Sequence, residues 1–241
     1  MRHLDVSMTD QSALVAHSSL YRESWFHRRR LARCVTKVLE LSASHRVVID
    51  VGASDGLILG ALARTNNDLS KNCEYIAVEA DRKLTRFCRA NLHHLLGDET
   101  RWTVEESVQA VSQSDSLVFS FETAEHNAHP ASFVDQLFML SPAVLVVSYP
   151  VEKGVVGLLK NCVRAFRFRS RVSFRKIWSC FADISDEERV LWFGLEDHYG
   201  FNDVSLTEYF RSIKGYRVQD CSVRFFGFKL SNLMVCIRDE L

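Results

Sequence analysis

Two short stretches of this sequence combine carboxylates with the small residues that a ligand-binding loop needs. The first, Asp50-Val51-Gly52-Ala53-Ser54-Asp55-Gly56, continues an apolar run that starts at Val47. The second, Tyr75-Ile76-Ala77-Val78-Glu79, is an apolar run that ends in an acid. A strand, a tight turn, a helix and a second strand with a terminal acid form the adenosine-binding half of a doubly wound sheet, in which the acid accepts hydrogen bonds from ribose hydroxyls. The sequence therefore predicts a site for a nucleoside cofactor.

The spacing within the first stretch distinguishes between cofactors. A dinucleotide site needs G-x-G-x-x-G, and carboxylates beside the turn would repel a pyrophosphate but suit a ligand with an ammonium and a sulfonium group. The pattern Asp50-x-Gly52-x-Ser54-x-Gly56 resembles motif I of the class I S-adenosylmethionine-dependent methyltransferases, D-x-G-x-G-x-G, with a serine at the middle glycine. The resemblance implies that these four residues shape the pocket for S-adenosyl-L-methionine and that Glu79 binds its ribose.

The same loop also matches the nucleophile elbow of α/β-hydrolases. Gly52-Ala53-Ser54-Asp55-Gly56 fits G-x-S-x-G, which would make Ser54 a nucleophile. That elbow follows several strands of its sheet, whereas the segment before residue 44 has helical and not strand periodicity. We therefore expect a methyltransferase loop.

A second cluster of polar residues follows a predicted strand at Leu117 to Phe121. The stretch Phe121-Glu122-Thr123-Ala124-Glu125-His126 resembles the E-x-x-E-H segment of methyltransferases that include the ubiquinone-biosynthesis O-methyltransferases and the small-RNA 3′-end ribose methyltransferases. In the latter, two glutamates, the adjacent histidine and a later histidine hold a divalent metal, and Asp197-His198-Tyr199-Gly200-Phe201 fits the later segment. The resemblance implies metal ligands at Glu122, Glu125, His126 and His198.

The chemistry of this second cluster is coherent, and an alternative stays open. Carboxylates and imidazoles suit Mg²⁺, Mn²⁺ or Fe²⁺, and with Glu125 beside them His126 or His198 could serve as the general base. In the alternative, Glu125 and His126 cap a helix that starts near Pro130, and Glu122 only contacts the cofactor. In both cases Phe121 and Glu122 are expected near the methyl donor.

The composition indicates a globular protein without a strong charge field. The chain has 241 residues, of which 47% are hydrophobic and 25% charged, and its net charge is zero, so no global field favours nucleic acid. It lacks the apolar core of a signal peptide and any apolar run of membrane-spanning length. Seven scattered cysteines, an odd number with no C-x-x-C, favour reduced and mostly buried thiols and a cytoplasmic location.

Alternating strand and helix patterns predict the fold. Helical periodicity runs from Gln11 to Leu41, and strands are predicted at 46–51, 74–79, Trp102 to Val104, Leu117 to Phe121, Ala143 to Ser148, Tyr216 to Phe226 and Ser231 to Arg238. We expect an α/β, Rossmann-like, doubly wound and mostly parallel seven-stranded sheet with an antiparallel C-terminal hairpin. The chain is predicted to be one methyltransferase domain with four parts: a helical N-terminal cap at 1–44, a cofactor-binding core at 45–150, a basic helical insertion at 151–200, and a C-terminal helix and hairpin at 201–241.

The basic insertion bears on the acceptor. Between Lys153 and Ala182 there are eight Lys or Arg residues and no acid, interleaved with apolar residues as in a basic amphipathic helix or helical pair. Two interpretations stay open: long Arg side chains cover apolar surface, or the segment holds an anionic substrate, an RNA backbone or an anionic membrane surface. We expect methyl transfer to a hydroxyl of a small-molecule, glycan or lipid-linked acceptor; the alternatives are an RNA 3′-terminal ribose and a non-catalytic cofactor-binding relative.

Overall fold

Short apolar runs, many of them rich in valine and isoleucine, form the strands of the protein. The computed structural model describes residues 25–65, 73–111, 115–168, 173–195, 198–225 and 228–239. Strands β1, β2, β4 and β5 are buried along nearly their whole length, as expected for parallel strands covered on both faces. The strands are β1 (Val47–Val51), β2 (Glu74–Val78), β3 (Arg101–Glu105), β4 (Leu117–Phe121), β5 (Val144–Pro150), β6 (Tyr216–Asp220), β7 (Val223–Phe225) and β8 (Phe228–Arg238).

Helices connect most of these strands, and several begin at a polar capping residue. Asp81 accepts hydrogen bonds from the backbone N–H groups of Lys83 and Leu84, and Ser185 and Glu188 form a capping box. The α-helices are α1 (Trp25–Ser42), α2 (Leu57–Thr65), α3 (Arg82–Leu96), α4 (Pro130–Met139), α5 (Gly154–Phe168), α6 (Phe174–Trp178), α7 (Asp186–Phe193) and α8 (Asp203–Ser212).

The strand order confirms the predicted fold class. The described strands follow the order β3-β2-β1-β4-β5-β8-β6, and the short β7 also pairs with β8. Strand β1 is parallel to β2 and β4, and β2 is parallel to β3, whereas β8 is antiparallel to β5, β6 and β7. The predicted single strand from Tyr216 to Phe226 is in fact two strands, because Cys221 and Ser222 interrupt it.

Residue contacts divide the chain into two compact units, which end and begin within β4. The first runs to Phe119 and the second from Ser120 to Leu241. In the first unit the apolar faces of α2 and α3 pack together, and in the second unit β8 lies between β5 and β6. Each unit thus holds one of the two polar clusters.

The terminal and inserted segments agree with the sequence where they are described. The predicted helix from Gln11 to Leu41 is present as α1 from Trp25 onwards, and 11–24 lies outside the described residues. Residues 151–200 contain three helices, of which α5 and α6 lie in the basic stretch from Lys153 to Ala182. Five of the seven cysteines are buried. No helix within the described ranges has the length and apolar character needed to cross a membrane.

Candidate functional site

The loop after β1 is held against the end of β2 by backbone hydrogen bonds. The N–H groups of Gly52 and Ala53 both donate to the carbonyl of Val78, at 2.8 and 3.1 Å. The Glu79 carboxylate then receives the N–H of Ser54 at 2.8 Å through one oxygen and the N–H of Asp81 at 2.9 Å through the other. The acid that was predicted to bind a ribose therefore lies directly beside the predicted cofactor loop.

Left-handed backbone conformations give this loop its shape. Gly52 and Gly56 have φ angles of 79° and 73°, a region that L side chains rarely adopt. A Cβ atom on Gly56 would lie 2.7 Å from the Sγ of Cys88 on α3, so glycine is needed there for space as well. Ser54 also has a positive φ, 52°, which explains why the related motif carries glycine at its position.

Three carboxylates surround the loop. Asp50 is almost fully buried, and its Oδ2 accepts no hydrogen bond from the described part of the chain. Burial, and then the negative charges of Glu79 and Asp55, raise the pKa of Asp50 well above its usual range. Burial also raises the pKa of Asp55, although the N–H of Leu57 donates to its side chain. Such a concentration of negative charge favours a cationic ligand.

In the second unit, the tip of β4 carries a further strained residue. Glu122 follows Phe121 directly and has a φ of 54°, which is uncommon for a side chain of this size. Its N–H donates to the carbonyl of Ser148 on β5 at 3.0 Å, and its Oε1 accepts from the Ser148 hydroxyl at 3.2 Å. Strained backbone of this kind persists where the surrounding structure holds it, and it is often found at functional sites.

Three of the predicted ligands come together after β4. Candidate ligand atoms of Glu125, His126 and His198 all lie within 4.8 Å of one another. The Nδ1 of His198 is 3.7 Å from a carboxylate oxygen of Glu125, and the two imidazole rings are 4.9 Å apart between centroids. Glu122, the fourth predicted ligand, is not a member of this group. The donor set suits a divalent ion that prefers nitrogen and oxygen ligands.

The hydrogen bond made by His126 defines its neutral tautomer. Its Nδ1 lies 2.8 Å from the carbonyl oxygen of Leu195, and a carbonyl can only accept. Nδ1 therefore carries the proton, and Nε2 of the neutral ring has the free electron pair. The Nε2 of His126 is thus the atom able to accept a proton or to bind a metal.

Buried aromatic residues fix the position of His198. Tyr199 and Phe201 are both buried, and the ring of Phe201 packs edge-on against Tyr149 of β5. Gly200, with a φ of 75°, turns the chain between them. Helix α8 begins shortly after this segment, at Asp203, and Asp197 lies outside the described residues.

Arg189, which the sequence did not point to, supports Glu125 and its segment. This arginine on α7 is 0% exposed, and its guanidinium donates to the carbonyls of Glu125, at 2.8 Å, and of Asn127. Its Nε lies 3.7 Å from Asp186, one helical turn earlier. Two charge-assisted hydrogen bonds from one buried cation constrain the backbone of the Glu125 to Asn127 turn.

The helix-capping alternative does not describe this segment. The N-cap of α4 is His129, whose own side chain makes no capping hydrogen bond. Ala124–His126 forms a separate 3-10 turn in which Glu125 is fully buried. The predicted cofactor contacts of Phe121 and Glu122 stay a prediction.

Comparison with known proteins provides an independent view of the fold. No protein-family model and no curated protein sequence matches the chain significantly. Among solved structures, it is similar to magnesium protoporphyrin IX methyltransferase from Synechocystis with bound S-adenosylhomocysteine, with a TM-score of 0.60 at 10% identity over 96% of this chain and 94% of that one.

Two further solved structures are also similar to this chain in fold. The DszA carbon methyltransferase gives a TM-score of 0.60 at 14% identity, covering 92% of this chain and 57% of that one. The small RNA methyltransferase HEN1 gives 0.58 at 14% identity, covering 89% and 25%. The chain therefore has the fold of the class I S-adenosylmethionine-dependent methyltransferases.

Proposed function

We propose that the protein is an S-adenosylmethionine-dependent methyltransferase that acts on a hydroxyl group of a small-molecule, glycan or lipid-linked acceptor. The observation that carries the proposal is the bonding of the Glu79 carboxylate to the N–H of Ser54 at 2.8 Å. An acid at the tip of one strand and a glycine-bearing loop at the tip of the next are what a ribose and its attached groups require.

The residues of the loop fit the cofactor in charge. The buried Oδ2 of Asp50, which accepts no hydrogen bond within the described ranges, suits an ammonium group, and each oxygen of Glu79 retains a lone pair for a ribose hydroxyl. When bound, S-adenosylmethionine supplies an electrophilic methyl group on a cationic sulfur. The positive charge of the bound cofactor would reduce the electrostatic repulsion among the carboxylates of Asp50, Asp55 and Glu79.

The second cluster supports a hydroxyl as the acceptor. In the proposed reaction a new bond forms between the acceptor oxygen and the methyl carbon, the carbon–sulfur bond breaks, and S-adenosylhomocysteine leaves. The hydroxyl proton passes to the Nε2 of His126, whose Nδ1–H is already held by the Leu195 carbonyl. Glu125, 3.7 Å from His198, orients that second imidazole.

In a metal-assisted form of the reaction, Glu125, His126 and His198 would instead hold a divalent metal such as Mg²⁺ or Mn²⁺, and the Nε2 of His126 would then be a ligand and not the proton acceptor. Their ligand atoms are mutually within 4.8 Å, and a mixed oxygen and nitrogen set leaves open positions for a substrate. A metal at this place would make a bound hydroxyl easier to deprotonate.

A direct test combines product detection with a variant of the proposed base. The purified protein, S-adenosylmethionine and Mn²⁺ are incubated with panels of hydroxyl acceptors, and S-adenosylhomocysteine release is measured. We expect turnover on at least one acceptor, and a loss of about 10²-fold or more in His126→Ala, the removal of a general base. Binding of S-adenosylhomocysteine by this variant at wild-type affinity is the control for folding.

Two results would count against the proposal. Turnover that is unchanged in His126→Ala would remove this residue from the base role. Tight cofactor binding without turnover on any hydroxyl acceptor would favour the non-catalytic relative.

The terminal ribose of an RNA is the second candidate acceptor. The gathering of Glu125, His126 and His198, together with the similarity in fold to a small RNA methyltransferase, favours it. RNA binding that falls steeply with salt would support this candidate, and the absence of a gel shift at low salt would exclude it.

A further inference from the structure

Helix α5 presents its apolar side outwards. Val155, Leu159 and Val163 follow one another at intervals of four residues, so they share one face of the helix, and all three are exposed, Leu159 at 57%. The opposite face carries Gly157 and Asn161, both buried. This arrangement reverses the usual pattern of a surface helix, in which the apolar face is covered.

Helix α6 and the residues after it continue this pattern. Phe174, Trp178 and Phe181 are exposed, Trp178 at 51%, and the rings of Phe174 and Trp178 stack with centroids 6.1 Å apart. The side chain of Asn161 on α5 is 3.1 Å from the Sγ of Cys180, which joins the two helices through their inner sides. Polar contacts therefore hold the pair together while aromatic rings face solvent.

The outward faces of α5 and α6 are the main concentration of exposed apolar surface in the described part of the chain. Of its thirteen exposed large hydrophobic residues, seven lie between residues 155 and 181. We define the outer stripes by Val155, Leu159, Val163, Phe174, Trp178 and Phe181. Large exposed apolar surface of this kind marks an interaction site.

The charge of the same segment is strongly positive. Residues 153–182 contain eight Lys or Arg and no acid, although the whole chain has a net charge of zero. Arg175 lies over the ring of Trp192 at 5.4 Å and Lys176 over that of Tyr199 at 4.1 Å, so part of this charge is fixed beside α6.

We propose that the outer stripes of α5 and α6 dock the protein on an anionic lipid bilayer. A helical pair with exposed aliphatic and aromatic residues and many basic residues has the composition of an interfacial membrane anchor. Tryptophan and phenylalanine insert at the level of the headgroups, and each nearby cation adds to the attraction of anionic lipid. This docking does not depend on the proposed methyl transfer.

Two other occupants fit the observations less well. An RNA backbone would be attracted by the charge and bases could stack on Phe174 and Trp178, but neither interaction uses the exposed aliphatic side chains of Val155, Leu159 and Val163. A second copy of the chain would bring two segments of eight positive charges together, which is electrostatically unfavourable.

Vesicle flotation with the full-length protein tests the proposal. We expect co-flotation with vesicles of equal parts phosphatidylglycerol and phosphatidylcholine, little with pure phosphatidylcholine, and a marked loss at high salt. Brominated phosphatidylglycerol should quench part of the tryptophan emission, and Trp178→Phe should remove that quenching while the protein still floats.

Matched variants distinguish the stripes from general exposure. Leu159→Glu combined with Trp178→Glu should weaken vesicle partitioning at least about tenfold, since two inserted side chains are lost. Met139→Glu, which changes an apolar residue 73% exposed on α4, should leave partitioning unchanged. Unchanged binding of S-adenosylhomocysteine, or an unchanged melting temperature if the cofactor does not bind, shows that the variants fold.

Several outcomes would overturn the proposal. These are equal flotation with neutral and anionic vesicles, no flotation at all, or wild-type flotation by the double glutamate variant. A dimer that Leu159→Glu dissolves would assign the stripes to a second copy, and binding of single-stranded RNA without binding of vesicles would assign the segment to nucleic acid.

Discussion

The loop after β1 and the cluster after β4 are built by different means. In the loop, backbone groups make the site: two N–H groups bond to the carbonyl of Val78, and Gly52 and Gly56 supply positive φ angles. The cluster is made of side chains from separate segments, and a buried arginine beneath it bonds to carbonyls of its turn. The loop is therefore specified mainly by residues that are close in sequence, whereas the cluster depends on contacts between segments that are far apart in sequence.

The two regions also differ in electrostatics. Around the loop, Asp50, Asp55 and Glu79 lie together, and burial with mutual repulsion raises the pKa of Asp50. In the cluster, the cation of Arg189 lies beside the segment of the buried Glu125. The loop is therefore suited to a positively charged ligand. In the cluster, the positive charge of Arg189 already balances part of the negative charge of Glu125.

The largest expected effect is at Arg189. Arg189→Met removes the donors for the Glu125 and Asn127 carbonyls and leaves Asp186 without its buried partner, so unfolding free energy should fall by about 3–5 kcal/mol. Chemical denaturation measures this change. Arg211→Met, at a residue whose side chain is 60% exposed, should cost less than about 1 kcal/mol. Similar losses in both variants would contradict a supporting role for Arg189.

Gly56 should come next. Gly56→Ala combines a positive φ with a Cβ contact of 2.7 Å to Cys88, and we expect a loss of about 2–4 kcal/mol. Gly215→Ala is the control, because its φ of 79° is close to that of Gly56 and no atom of the described residues lies within 4 Å of the added Cβ. Its cost should be only the backbone part, about 1–2 kcal/mol. Equal melting temperatures for the two variants would show that the close approach to Cys88 does not matter.

Asp50→Asn should change stability and cofactor binding in opposite directions. Because the folded pKa of Asp50 is raised, its contribution to stability is present below the unfolded pKa of about 3.9 and is lost as pH rises through the folded pKa. The neutral variant should thus melt at a higher temperature than wild type at neutral pH, with the difference disappearing in acid. Its affinity for S-adenosylmethionine should fall roughly tenfold or more. A variant that melts lower at neutral pH would contradict the electrostatic account.

The smallest effect is expected at Ser54. Ser54→Gly removes the strain of a φ of 52° while keeping the N–H that donates to Glu79, so the gain in stability should be about 1 kcal/mol at most, with cofactor affinity retained. Thermal melting and calorimetry measure the two quantities. A fall in affinity of tenfold would mean that the Ser54 side chain itself contacts the ligand.

These contrasts also explain how far the sequence could predict the molecule. The strands from β1 to β5 were predicted within one or two residues, because buried parallel strands are nearly continuous apolar runs. The loop at Gly52 and the acid at Glu79 were found because their spacing is local. His198 was found only through a resemblance of motifs, since seventy-two residues separate it from His126.

Other features could not be predicted, because tertiary contacts decide them. Arg189 follows Asp186, Glu187 and Glu188 and has the appearance of an exposed charged helix face, yet it is fully buried. The interruption of the predicted strand at Cys221 has only a weak signal, a change in phase of the polar and apolar alternation at the consecutive polar residues Gln219 and Asp220. The outward direction of the apolar face of α5 likewise has no local signal, because the helix buries the polar Asn161, whose side chain lies 3.1 Å from the Sγ of Cys180.

Isothermal titration with S-adenosylhomocysteine tests the central claim most directly. The account predicts binding by the wild-type protein in a roughly micromolar range and a loss of about a hundredfold or more in Glu79→Ala, since bonds to a charged group are lost. Glu74→Ala, at the opposite end of β2, should bind as wild type does. No binding by the wild-type protein, or equal binding by Glu79→Ala, would contradict the account.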